Sequence, residues 1–256
     1  MRNLITSISI AASITLSSTA FSAPNNTPTG NPARAVAIYD YRDFGRDAVS
    51  SKTYALTGFG NQIEEVREWS STVVGDNTEV LMVQRRFDAF GTQTLYTEYD
   101  FLNTPTSKYL SERRRYNPAT EVLTFTLTYD SALLYETSTM REGATFAANG
   151  TGMIRDYVDP NQTDLTGLLV EERTAVGVED VTTTYGSFSK CLKISQNRKS
   201  DLDGEYMRID WRCPGLGLVK RVQVNTNPYF DLNDPTLSYP QRNYRTWDLT
   251  NVTYTP

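Results

Sequence analysis

The residue types that do chemistry in proteins fall at few places in this chain. Ser187-Phe188-Ser189-Lys190 matches the Ser-x-x-Lys pattern of penicillin-recognising enzymes, in which an adjacent lysine can activate the serine. That chemistry needs the serine at a helix start. Here the motif leads into an alternating strand pattern and no Lys-Thr-Gly accompanies it, so a chance match is the plainer reading. Asp201, Asp203 and Glu205 in "DLDGE" offer oxygens for calcium, but the spacing of an EF-hand loop is not met, and a hairpin turn accounts for the Asp and Gly. "ERRRY" (112–116) carries guanidinium forks that suit phosphate, yet acidic residues in neighbouring strand candidates make cross-strand ion pairs the simpler explanation. Paired carboxylates can hydrolyse glycosides, but among 30 acidic residues no pair stands out.

Composition narrows the chemistry further. There is no histidine, which removes the commonest general base and the commonest metal ligand. Cys191 and Cys213 are the only cysteines, too few for a closed zinc or iron–sulfur site, and no cofactor or metal is expected. The stretch around the second cysteine, "WRCPGLGLVKR" (211–221), poses a choice between a ligand-gripping loop, a redox site and a structural corner. Pro214 and Gly215 occupy the central positions of a type II turn, and Gly217 is suited to a bulge before alternation resumes.

The chain begins with a short positive start and an apolar run, "LITSISIAASITL", followed by small residues at Ala20 and Ser22. This reads as a secretory signal peptide over residues 1–23, cleaved after Ser22 or Ala23. No cysteine follows that site to accept a lipid anchor. Residues 24–34, "PNNTPTGNPAR", read as a flexible leader, and 35–256 as a single β-rich domain. Loss of Arg2 with the signal peptide takes the formal charge from −5 to −6, which disfavours nucleic-acid partners. No later apolar run reaches membrane-span length, so the mature protein is expected not to be transmembrane and to be periplasmic or extracellular. In an exported chain two cysteines point to one disulfide. Counting outward from "DLDG" sets Cys191 opposite Pro214, one position from Cys213, a gap that a single bulge closes.

The elements that must position these residues are strands. "VLTFTLTY" (122–129) alternates Leu123, Phe125, Leu127 and Tyr129 against Val122, Thr124, Thr126 and Thr128. "TLYTEYDF" (94–101) repeats the design. Further candidates span 63–73, 79–87, 108–116, 152–158, 168–176, 188–196, 205–213, 216–224 and 244–254, joined by turns such as "DAFG", "NPAT" and "DLDG". Residues 131–142 hold the sole helix-like pattern and read as a connection crossing the sheet; 228–241, with three prolines, reads as a long loop. The fold class is mainly β: a curved, partly closed antiparallel meander, half-barrel-like, with few or no helices.

Three segments carry a resemblance: "WRCPGLGLVK" (211–220), "GSFSKCLKI" (186–194) and "YDSALLYETSTMREGATF" (129–146). Across roughly residues 125–225 the chain resembles a diffuse group of bacterial exported, β-rich envelope proteins of unknown function, with a Trp-x-x-Pro-Gly-x-Gly-Leu-Val-Lys signature. Cys213 stands where the group usually has Ala. The resemblance implies a lipoprotein-carrier-like fold, an incompletely closed sheet with an apolar concave face, and supplies no catalytic residues.

A turn at "NPAT" would set Leu110 opposite Leu127, Glu112 opposite Phe125 and Arg114 opposite Leu123. Charge and apolar surface would then share one face, giving an apolar groove rimmed by Glu112 and Arg114 for an amphipathic ligand or a segment of another envelope protein. The expected function is a non-enzymatic binding or structural component of the periplasm, cell envelope or extracellular matrix. The alternatives are a carrier of an apolar ligand and a carboxylate-based glycan hydrolase.

Overall fold

The structure, a computed structural model, describes residues 38–40, 49–137, 139–159, 161–202, 204–225 and 244–254, the side chains of Val49 and Asn225 excepted. The expected signal peptide, the leader and the 228–241 loop lie outside the described residues. Those described form fourteen strands and no helix. They are β1 (Ile38–Asp40), β2 (Val49–Thr57), β3 (Gln62–Val74), β4 (Asn77–Asp88), β5 (Gln93–Asn103), β6 (Ser107–Tyr116) and β7 (Leu123–Thr137). Then come β8 (Thr139–Arg141), β9 (Thr145–Asp156), β10 (Leu165–Thr182), β11 (Ser187–Ser200), β12 (Tyr206–Cys213), β13 (Gly217–Asn225) and β14 (Tyr244–Tyr254).

Twelve of these pair in chain order into one closed antiparallel barrel, which omits only β1 and β8. β14 returns to β2, with Leu249 opposite Tyr54, and β1 pairs with β8 as a separate two-stranded ribbon. The curved antiparallel sheet is therefore present, but it is closed rather than partly closed. Closure depends on β2, "VSSKTYALT", which was not among the expected strands. Its alternation is hidden because Lys52 shares the buried face with Tyr54 and Leu56. Lys52 fits there with its ammonium 4.9 Å from the Trp69 ring centre, a cation–π contact.

Residues 131–137 do not cross the sheet. They extend β7 beside β6, after a register shift that takes the pairing from Glu112–Thr128 to Leu110–Leu133. Asp130 steadies that irregularity, its Oδ1 accepting the backbone N–H groups of Ser131 and Thr151.

The interior combines apolar clusters with charge. One cluster gathers Tyr54, Leu56, Phe59, Trp247 and Leu249 around the two cysteines; another joins Phe101, Leu110, Leu133, Ala148 and Leu169. Between them the inward rows are polar. Lys52, Arg67, Gln84 and Thr97 stand opposite one another across β2–β5, and all are buried. At the end where β11 turns into β12, Leu202 covers Gly152 and Gly167. A Cβ at either glycine would come within 2.9 Å of the Leu202 side chain, so the tip packs there because those side chains are missing.

Candidate functional site

The cysteine corner is a pinned turn. Leu192 pairs with Arg212, which places Cys191 beside Cys213; the two are bonded, with Cα atoms 4.1 Å apart. The pairing between β11 and β12 needs no bulge, because the connection is one residue shorter on the β12 side than a turn centred on "DLDG" gives, so that Arg198 pairs with Tyr206 rather than Met207. Leu216 N–H donates to the Cys213 carbonyl (3.2 Å), and Gly215 takes φ 71°, the left-handed value that a type II turn requires at its third residue. Pro214 is exposed, while Gly217, also at positive φ, pairs with Cys213. The bulge of β13 falls between Leu218 and Lys220 rather than at Gly217, and the extra residue, Val219, is fully buried.

The six residues of the expected groove do not line one surface. A longer turn separates β6 from β7: Glu121 adopts φ 55° and its N–H donates to the Asn117 carbonyl (2.8 Å). The pairing therefore slides by three residues, setting Arg113 opposite Leu127, Arg114 opposite Thr126 and Arg115 opposite Phe125. An odd slip exchanges the two faces of a strand. Leu110 and Leu127 point inward and are buried, Phe125 lies partly buried beneath Arg113 and Arg115, and Leu123 pairs with Tyr116. Glu112 and Arg114 belong to the outer wall. There Arg114 reaches Glu98 (3.0 Å), Asp100 (2.5 Å) and Glu112 (3.2 Å), and Glu98 also accepts the hydroxyls of Tyr96 and Tyr116.

Charge inside the barrel is organised around buried carboxylates. Glu65 receives Arg67 (2.6 Å), Gln84 (2.6 Å), Arg86 (2.8 Å) and the Trp247 indole N–H (2.9 Å). Burial alone would raise its pKa, but Arg67, Arg86 and the indole hold it at about 2. Asp210 accepts two bonds from Arg221, 2.6 and 2.7 Å, with Arg208 at 3.7 Å; here too the arginines outweigh burial and keep the carboxyl well below its ordinary range. Glu171 bonds Arg173 and pairs with Arg198 at 3.6 Å, and its pKa is likewise lowered against burial. Glu136 meets Arg212 at 2.9 Å. The strand sequences "VEERTAV" and "EYMRIDWRC" place Glu171 and Arg173, and Arg208, Asp210 and Arg212, at every second position, but a buried face built of charge does not stand out as a buried face in the sequence.

The remaining motifs serve structure. Ser187 and Lys190 lie in β11, where the Lys190 N–H donates to Asp180 (3.0 Å). Asp201 accepts the Leu168 N–H (3.0 Å) through its carboxylate, and Asp203 lies outside the described residues.

No family model and no curated protein matches this chain. Among solved structures it is similar to a protein of Bacteroides fragilis named as exported with a YmcC-like fold: 14% identity, a TM-score of 0.51, covering 82% of this chain and 97% of that one. It also aligns with a protein of Parabacteroides distasonis named as a lipoprotein, at 12% identity and a TM-score of 0.48 over the same shares. The first likeness is one of fold.

Proposed function

We propose that this chain is an exported, non-enzymatic binding or structural component of the bacterial envelope. The observation that carries this reading is the arginine pairing of three interior carboxylates, Glu65, Glu171 and Asp210. Glycoside hydrolysis needs one carboxyl held protonated by a raised pKa. Glu65, Glu171 and Asp210 are instead held as anions by arginine, so none is a proton donor at neutral pH. Export is supported by the signal-like N-terminus, the disulfide and the name of the B. fragilis neighbour.

The outer wall favours a barrel that stands in water. A lipid-facing wall is an apolar band flanked by aromatic girdles. This wall carries the Arg114 cluster on β5 and β6, the Arg85–Glu68 pair on β3 and β4, and Lys193 with Glu179 (3.3 Å) on β10 and β11. The carrier alternative is less well supported, since Glu112 and Arg114, the rim it requires, lie on the opposite face of the sheet from Leu110 and Leu127.

Fractionation of a bacterial host expressing the full chain tests this reading. The expected result is soluble protein in the periplasm or medium, shortened by its first 22 or 23 residues, with no free thiol and no activity on a panel of glycans. Unprocessed cytoplasmic protein, or turnover of a glycan, would overturn it.

A further inference from the structure

Tyr135 on β7 is half-buried, with the Arg173 guanidinium 4.2 Å from its ring centre and Phe101 packed edge-on at 5.0 Å. Its hydroxyl forms no hydrogen bond among the described residues. Burial alone would raise its pKa, yet Arg208, Arg173, Arg221 and Arg212 together lower it to about 8, so negative charge is favoured where the hydroxyl lies.

Two inward side chains nearby each carry a donor without an acceptor, although the Arg208 Nη1 donates to the Tyr206 hydroxyl (3.3 Å). Gln196 stands opposite Arg173 on one side and Arg208 on the other, is 2% exposed, and its Nε2 donates to nothing among the described residues. Arg208 Nε is buried without a hydrogen bond, and the carboxylate it faces, Asp210, is 3.7 Å away and already bonded twice by Arg221. An unmet buried donor is costly, and a charged one more so. The local balance points the same way. Among the described residues, five buried arginines (173, 198, 208, 212 and 221) stand against three buried carboxylates (Glu136, Glu171 and Asp210).

We propose that the inner face of β7 and β10–β12 is an oxyanion site, which takes a carboxylate or phosphate group against Arg208, the Gln196 amide and the Tyr135 hydroxyl. All three are donors. Guanidinium matches planar or tetrahedral oxyanions, and the tyrosine, which is only partly buried, leaves the site in reach of solvent. The proposal deepens the reading of the protein as a binding component by naming the ligand chemistry.

The test titrates the full mature chain by calorimetry with inorganic phosphate in one arm and glucuronate in the other, at ionic strength fixed with sodium chloride. Saturable binding of either is expected. Phosphate alone points to a phosphorylated ligand, glucuronate alone to an acidic sugar, and both to a general oxyanion site. Bound anion should also move the lowest phenolate absorbance transition upward by a pH unit or more, and that transition should be missing from Tyr135→Phe. Gln196→Leu and Tyr135→Phe should each weaken binding about tenfold or more. The tyrosine variant loses only a hydroxyl without a partner, so it decides the matter if Gln196→Leu misfolds. Binding of neither anion, or equal affinity in wild type and Tyr135→Phe, would overturn the site. Neither result bears on export or processing, which fractionation reads separately.

Discussion

Asp210 and Arg221 face each other inside the barrel, on the paired strands β12 and β13, joined by two hydrogen bonds of 2.6 and 2.7 Å. Removing one partner leaves an uncompensated charge in a dry setting. Asp210→Ala should therefore cost about 3–5 kcal/mol in urea unfolding. The double variant Asp210→Leu, Arg221→Met should recover much of that loss. A loss under about 1 kcal/mol for the single variant would mean that the pair is solvated.

Outward charges should behave differently. Arg114 contacts three carboxylates, but all four side chains keep contact with water. Arg114→Ala should cost about 1 kcal/mol or less, and less again in high salt. A loss as large as that of Asp210→Ala would place Arg114 inside the barrel.

The Cys191–Cys213 bond spans 22 residues of sequence between two adjacent strands. The chain-entropy model gives about 3 kcal/mol for a loop of this size. The Cys191→Ala, Cys213→Ala variant should lose stability by that order yet keep its far-ultraviolet β spectrum, since twelve strands still close the barrel. A variant that unfolds completely at room temperature would assign the bond a larger role.

Glu65 sets a pH window. Its folded pKa of about 2 lies below an ordinary 4.5, so its contribution is complete above pH 4.5 and is lost as pH falls toward 2. The contribution is about 3 kcal/mol at neutral pH, from the size of the shift. Glu65→Gln should flatten the stability profile between those limits. An unchanged profile would show that Glu65 titrates normally.

Much of the fold was legible because most strands announce themselves by period 2. "VLTFTLTY" and "TLYTEYDF" place one apolar face against one polar face, and both are strands. Legibility failed where the buried face is itself polar. β2 hid behind Lys52, and without β2 the sheet has no closing strand. The groove failed for a different reason: turn length, and with it register, depends on a single left-handed residue, Glu121, whose type does not signal that conformation. The cysteine pair survives such errors because a one-residue miscount still leaves the two side chains adjacent.

The central claim, that Glu65, Glu171 and Asp210 are held as anions inside the barrel and are not proton donors, is tested most directly by carbon-13 NMR titration of Glu and Asp carboxyls. Glu65, Glu171 and Asp210 are expected to titrate below the ordinary carboxylate range, with the Glu65 midpoint at about 2. A midpoint above 5 for any of the three would contradict the account and restore a proton donor of the kind glycan hydrolysis uses.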